Sequence, residues 1–217
     1  LYLPPQPDVP WIWNDWRKVN ECSLKGASPL YQSFNAFMRQ QWTVKYGTLP
    51  SPPLDNVHIV VQVRSVDSIK QQMSSTRYII NIDALTQALR SIPHVVVTVQ
   101  DFATLPFAEQ VTLAHSAGVL VSMHGASIAH TFHSALGQPN CCALVELFPD
   151  KTVPFHEIKG FGNLARWLGL HYFSHIAGAL YIGICSSVLS LALHLTFCAL
   201  LLLRYWRDKR GRYRCGC

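Results

Sequence analysis

A short polar turn follows an apolar run near the middle of the 217-residue chain. The β-branched run Val119–Ser122 leads through Met123 into His124, Gly125 and Ala126, and a second apolar run ends at Glu146. N–H groups at the start of a helix attract anions such as phosphates, and glycine allows close approach of the backbone. Ligands of open parallel sheets bind at the carboxyl ends of the strands. The order of strand, turn, helix and strand therefore predicts an anion-binding site at one edge of a sheet.

Alternating strands and helices are predicted around this turn. Nearly continuous β-branched runs are typical of strands that are covered on both faces, as in parallel sheets. The predicted strands are 57–63, 94–100, 118–122, 143–147 and 170–173, and the predicted helices are 29–46, 82–91, 106–117, 126–135 and 161–168. This alternation predicts an α/β fold with a Rossmann-like parallel sheet.

Composition divides the chain into four parts. Residues 1–56 contain an irregular Pro- and Trp-rich segment and an interdomain helix, and residues 57–175 form the Rossmann-like domain. Residues 176–203 contain no Asp, Glu, Lys or Arg, and about 20 apolar residues suffice to cross a bilayer. They therefore predict a single C-terminal transmembrane helix. The basic tail, residues 204–217, predicts a cytoplasmic C-terminus and hence a lumenal α/β domain.

The positive charge of the chain is concentrated in its tail. The whole chain carries +6, and residues 204–217 contain six basic residues and one acidic residue, a net +5. The first 203 residues therefore carry only 6 minus 5, or +1. Because the α/β domain lacks a basic surplus, we do not expect nucleic acid as a partner.

Five ordered blocks of sequence resemble glycosyltransferase family 61. The blocks begin with a single arginine and continue through four short motifs: Arg64, Arg77–Asn81, Phe107–Gln110, Met123–His130 and Val145–Pro149. The resemblance covers about residues 28–173 and implies the C-terminal, nucleotide-sugar-binding half of a GT-B glycosyltransferase. Two positions depart from the usual pattern of the family. Tyr78 stands where the family has a second arginine, and Ser127-Ile128 replaces Gly-Leu.

The resemblance implies an enzyme that transfers a sugar from a UDP-sugar donor to a hydroxyl of a glycan or glycoprotein. The implied sugar is GlcNAc or xylose, and the implied reaction inverts the anomeric centre. No DxD motif or other metal-binding pair of carboxylates lies near the core, so we expect no metal and no cofactor. The implied location is the endoplasmic reticulum or the Golgi, with membrane contact through the C-terminal helix.

The leaving diphosphate gains negative charge during sugar transfer, and cations or N–H donors must stabilise it. Arg64, Arg77, His124 and the N–H groups of Gly125 and Ala126 are the predicted diphosphate ligands.

Three further residues complete the predicted site. Glu146 is predicted to accept the two ribose hydroxyls, and Asn81 is predicted to bond the ligand or the turn that carries Arg77. An inverting transfer also requires a base for the proton of the acceptor hydroxyl, and Asp67 is the acid nominated for that role.

Two alternatives stay open. The segment Gly125–Ala129 has the G-x-S-x-A form of a nucleophile elbow, in which Ser127 would serve an α/β-hydrolase-like serine esterase. Asp150 with His156 or His171 would complete its triad. The other alternative is a membrane-anchored glycosyltransferase fragment that keeps the fold and has lost turnover, in keeping with the two departures from the family pattern.

Overall fold

One parallel sheet organises the part of the chain that the computed structural model describes, which comprises residues 27–50, 55–64, 79, 81–135, 141–148 and 160–176. Its strands are β1 (Val57–Val63), β2 (Val95–Asp101), β3 (Val119–Met123), β4 (Ala143–Phe148) and β5 (His171–Ile176). They lie in the order β2-β1-β3-β4-β5, and each neighbouring pair is parallel. The predicted α/β parallel sheet is confirmed. In this doubly wound order the chain leaves β1 in one direction and continues from β3 in the other, so the switch point lies between β1 and β3.

Within the described ranges, four α-helices accompany the sheet: α1 (Pro29–Tyr46), α2 (Ile82–Arg90), α3 (Phe107–Ser116) and α4 (Gly160–Leu168). A three-residue 3-10 turn, Phe102–Thr104, follows β2. The bounds of α1 and β1 are those predicted, and the other α-helices and strands differ from prediction by one to three residues at an end.

The helix predicted at 126–135 is present as the 3-10 helix Ala126–His133, so it ends two residues earlier than predicted. Its buried side chains include Ile128 and Thr131, which are three residues apart. A 3-10 helix has three residues per turn, so side chains at this spacing share one face. The Thr131 hydroxyl also donates to the Ile128 carbonyl at 2.8 Å. Packing of every third residue against the sheet therefore favours the tighter helix.

The two faces of the sheet have separate cores. On one face, which we call the α2 face, Leu85 and Leu89 of α2 pack with Val61, Val121 and Val145. On the other face, which we call the α4 face, α3, the 3-10 helix and α4 cover the central strands. Its core contains Val60, Leu120, Ile128, Leu144, Phe161 and Leu164. Helices on both faces exclude water from the strands, as the nearly continuous apolar runs predict.

Helix α1 packs on α4 and on the 3-10 helix. The Tyr31 ring lies 4.8 Å from the Trp167 ring, centroid to centroid. The buried Asn35 side chain donates to the carbonyls of Phe132, at 2.7 Å, and Ser134, at 3.1 Å. These bonds fix the end of the 3-10 helix against α1. The position of α1 between two domains stays a prediction.

Strand β5 ends at Ile176, the first residue of the predicted transmembrane segment. Residues 177–203 and the basic tail lie outside the described residues. None of the helices in the described ranges is both long enough and apolar enough to cross a bilayer. The transmembrane helix stays a prediction.

Candidate functional site

Three of the predicted site segments meet at the carboxyl edge of the sheet. Arg64 directly follows β1 and is half-buried, and His124 directly follows β3 and is buried. Glu146 lies in β4, in register with Ser122 of β3. Neighbouring strands are about 4.8 Å apart. Arg64 and His124 therefore flank the switch point of the sheet, where doubly wound folds bind ligands.

A hydrogen bond joins His124 to Glu146 inside the protein. His124 Nδ1 lies 2.5 Å from Glu146 Oε1, and Glu146 is fully buried, with 0% of its surface exposed. The backbone N–H of His124 donates to the Leu147 carbonyl at 2.7 Å, which extends the pairing of β3 with β4 by one residue. The Phe148 ring is stacked on the imidazole with centroids 5.1 Å apart. The pairing of β3 with β4 and the ring contact with Phe148 thus fix the positions of His124 and Glu146.

Tyr172 binds the second oxygen of the same carboxylate. Its hydroxyl donates to Glu146 Oε2 at 2.7 Å. The register of β4 with β5 pairs Leu144 with Tyr172 and Glu146 with Ser174, so the tyrosine starts two residues before the glutamate on the same face. Burial raises the pKa of Tyr172, and the charge of Glu146 and the hydrogen bond to it raise that pKa further. Tyr172 therefore stays a donor to this carboxylate at physiological pH.

Gly162 of α4 provides the space for the Tyr172 ring. A Cβ atom at Gly162 would lie 2.8 Å from Tyr172 Cε1 and 2.9 Å from Cζ, closer than real Cβ contacts. The ring therefore needs a residue without a side chain at this point of the helix.

A row of polar residues crosses the sheet at the level of Glu146. Backbone register aligns Gln62 of β1, Ser122 of β3, Glu146 of β4 and Ser174 of β5. The Ser122 hydroxyl is 3.0 Å from Gln62 Oε1 and donates to it. Buried polar groups are rarely left without partners. Gln62 and Ser122 meet that requirement with each other, and Glu146 meets it through the two side chains already described. The α4 face is therefore polar just below the carboxyl edge.

The remaining predicted site residues lie around this row or outside the described residues. Asn81 immediately precedes α2, and Ala126 is exposed at the start of the 3-10 helix. Gly125 is buried and extended, with φ of 164°, so its backbone angle does not itself require glycine. Asp67 and Arg77 lie outside the described residues. Their predicted roles stay predictions.

The arrangement does not support the serine esterase. Ser127 lies in the 3-10 helix at the carboxyl edge, whereas His171 is the first residue of β5, at the amino edge. A six-residue strand such as β5 spans about 16 Å. Among the described residues, only His94 combines a positive φ with a side chain, so Ser127 lacks a strained elbow conformation. Asp150 and His156 lie outside the described residues.

Over the described ranges, no group of three or more His, Cys, Asp or Glu residues could hold a metal ion. Independence from metal stays a prediction.

The sequence prediction assigned no role to Tyr172, Gln62 or Ser122. A signal for them exists in the strands. Ser122 and Glu146 are each the single polar residue of an apolar strand, and Ser174 occupies the same fourth position in β5. Alignment of the three strands by that position predicts one polar row.

Comparison with known proteins identifies the family. The family model Glycosyltransferase 61 matches residues 17–144, more than half of the chain. The EGF domain-specific O-linked N-acetylglucosamine transferase of Xenopus laevis is 29% identical over 118 residues, which are 54% of this chain and 19% of that protein. Its namesake in Mus musculus is 25% identical over 156 residues, 71% of this chain and 25% of that protein.

The chain thus spans 19 to 25% of the length of these relatives. A thermophilic tryptophan halogenase from Streptomycin violaceusniger overlaps with a TM-score of 0.38 and 9% identity, covering 67% of this chain and 98% of that chain. That overlap is too weak to bear on the fold. The match of the family model over residues 17–144 shows that the chain belongs to glycosyltransferase family 61.

Proposed function

We propose that this chain is the donor-binding part of a glycosyltransferase that moves a sugar from a UDP-sugar to a hydroxyl of a glycan or protein. The observation that carries the proposal is the position of His124 and Arg64. In a chain of glycosyltransferase family 61, they flank the switch point of a doubly wound sheet. That position suits an anionic ligand that spans two strand ends.

The chemistry of transfer assigns a task to each group. The acceptor oxygen forms a bond to the anomeric carbon while the bond from that carbon to the diphosphate breaks, and the electron pair leaves with UDP. Arg64, His124 and the N–H groups of Gly125 and Ala126 stabilise the charge that develops on the diphosphate. Arg77 is proposed to add a second cation. The acceptor proton passes to a base, for which Asp67 remains the proposal.

The donor and the acceptor are proposed from the relatives. The name of the Xenopus laevis and Mus musculus relatives specifies N-acetylglucosamine transfer to an EGF domain. It therefore favours GlcNAc over xylose as the sugar. The proposed reaction inverts the anomeric centre and uses no metal, because the candidate ligands of the diphosphate are themselves cations and N–H donors.

The position of α1 between two domains and the cellular location of the chain are also proposals, which rest on the exposed residues of α1 and on the sequence. Apolar residues of α1 are exposed, among them Leu30 at 74% and Val44 at 78%. Exposed apolar patches mark interaction surfaces. They support the proposal that α1 faces the second domain of a GT-B enzyme. The α/β domain is proposed to be lumenal in the endoplasmic reticulum or Golgi, anchored by residues 176–203.

Calorimetric titration of the 217-residue chain with UDP tests the proposal. We expect a saturable heat of UDP binding that persists in EDTA. The affinity for UDP should fall at least about tenfold in Arg64→Ala, because a charge-assisted phosphate contact is lost. Arg90→Ala is the matched control, since Arg90 is an exposed arginine at the end of α2. Absence of heat with UDP, or equal loss in both variants, would refute the proposal. Binding of UDP-GlcNAc without transfer to an EGF domain would identify the inactive form.

A further inference from the structure

We infer that Glu146 and Tyr172 are positioning residues that hold the His124 ring in one tautomer, with the proton on Nδ1 and with Nε2 as the nitrogen for the donor diphosphate. This inference rests on the proposed function for the identity of the ligand. The geometry of the three side chains carries it independently of that ligand.

The first step is the direction of the hydrogen bond between the ring and the carboxylate. An ionised carboxylate only accepts hydrogen bonds, so Nδ1 must carry the proton at its 2.5 Å contact with Glu146 Oε1. The other nitrogen, Nε2, is then an acceptor in the neutral ring and a donor in the charged ring. Both forms keep Nδ1 turned to Glu146 and Nε2 turned away from it, and the charged form donates from Nε2 to a phosphate oxygen.

The second step is that both carboxylate oxygens of Glu146 already have hydrogen-bond partners inside the protein. Tyr172 donates to Oε2 at 2.7 Å while His124 contacts Oε1, and no part of Glu146 is exposed. In this arrangement a ligand hydroxyl cannot reach either carboxylate oxygen of Glu146 from the solvent. The contacts therefore favour orientation of His124 as the role of Glu146, in place of the ribose contact predicted from sequence.

The third step is the support behind Tyr172. The ring lies so close to the backbone of α4 that only glycine fits at position 162. Phe148 stacks on the imidazole, and Phe161 of α4 meets it edge-on with centroids 5.6 Å apart. Packing on two sides and a carboxylate held at both oxygens leave the imidazole one orientation. Partners of this kind fix the tautomer of histidines in metal and catalytic sites.

The test is nitrogen NMR of the 217-residue chain labelled at the histidine rings, with His124 assigned by loss of its signals in His124→Gln. We expect the wild-type neutral ring to carry its proton on Nδ1. In Glu146→Gln the Tyr172 hydroxyl keeps the amide oxygen, so the amide NH2 faces Nδ1 and the proton moves to Nε2. Replacement of the orienting aspartate by asparagine has that effect in the serine protease triad.

Removal of the Tyr172 hydroxyl should restore the wild-type tautomer of His124 in the Glu146→Gln variant. In Glu146→Gln combined with Tyr172→Phe, the amide is free to rotate and to present its oxygen to Nδ1, so the Nδ1 proton should return. A residue with a merely structural role would show no such reversal. Tyr31→Phe is the matched control, because it removes the same hydroxyl from a ring that packs on Trp167 of α4.

UDP titration of the same variants measures the consequence. We expect Glu146→Gln to weaken UDP binding about tenfold, because the neutral amide no longer stabilises the charged imidazole ring whose Nε2–H donates to the diphosphate. Tyr172→Phe keeps the carboxylate and should weaken binding by no more than about threefold. The double variant also lacks the carboxylate and should bind UDP as weakly as Glu146→Gln alone.

The inference is overturned if the neutral wild-type ring is protonated on Nε2, or if Glu146→Gln leaves the tautomer unchanged. If Glu146→Gln does not fold, the wild-type chain carries the test by itself, because a neutral His124 ring protonated on Nε2 overturns the inference. Lack of UDP heat in a wild-type chain with the expected tautomer refutes only the proposed function.

Discussion

The two faces of the sheet differ at adjacent levels of the same strands. On the α2 face, Val121 of β3, Val145 of β4 and Phe173 of β5 form an apolar row. One residue further along, on the α4 face, the same strands carry Ser122, Glu146 and Ser174. Both rows are buried at β3 and β4. The apolar row shows that burial at this depth does not by itself call for polar side chains, and the polar row agrees with the positioning role that we infer for Glu146.

Among the variants that remove the difference between the two faces, Glu146→Leu should have the largest effect. It leaves the His124 N–H and the Tyr172 O–H buried without their acceptor, so we expect a loss of about 3 to 5 kcal/mol in the free energy of unfolding, measured in urea. Combining it with His124→Leu and Tyr172→Phe removes the stranded donors and should recover most of that loss while UDP binding stays absent. Failure of the triple variant to recover would show that the network itself stabilises the fold.

Gly162→Ala should have the next largest effect. The new methyl group would overlap the Tyr172 ring, and strain of this kind costs about 1 to 3 kcal/mol. Chemical denaturation measures the cost. Asn163→Ala, at the half-buried neighbour in the same helix, is the control and should change stability by less than about 0.5 kcal/mol. Equal effects at both positions would contradict close packing at Gly162.

Acid should destabilise the helices of the α4 face through His133. Burial, together with the charges of the nearby His130 and His115, lowers the pKa of His133 to about 4. Between about pH 6.5 and pH 4 the unfolded chain therefore binds a proton that the folded chain does not, so stability falls as pH falls. One such group contributes at most about 1.4 kcal/mol per pH unit.

Thermal unfolding between pH 7 and pH 4.5 measures this slope. We expect His133→Leu to flatten it, and the exposed His171→Gln to retain it. An unchanged slope in His133→Leu would contradict the assignment.

Ser122→Ala should have the smallest effect. It removes one buried hydrogen bond to Gln62, worth about 1 kcal/mol. Val121→Ala, one residue earlier and on the α2 face, should cost more, about 2 kcal/mol, because it leaves a cavity. Urea titrations of the two variants compare the faces directly. The reverse order would mean that the polar row contributes more to stability than the apolar row.

The sequence alone was sufficient to predict the bounds of an element where one continuous run of residues determines it. The apolar run of β1 and the apolar spacing of α1 each reproduced their observed bounds. The type of the helix at Ala126–His133 was not predicted, because eight residues do not separate a period of 3.0 from one of 3.6.

The site was predictable only in part, for the same physical reason. The turn at His124 and the strand of Glu146 are local features, so both were found. Tyr172 reaches Glu146 across a sequence separation of 26 residues, through a register that no local pattern specifies. Full burial of Glu146 likewise depends on how α4 covers the sheet.

The parallel pairing of distant strands also has a consequence for the order of folding. His124 and Glu146 are 22 residues apart, and the helices between successive strands must form before β3, β4 and β5 can align. Long-range pairing of this kind is slow, because loop closure precedes the contacts that offset it. Glu146 acquires both of its partners only when β5 has docked. Recovery of UDP binding during refolding would therefore report the completion of this half of the sheet, later than the recovery of helical circular dichroism.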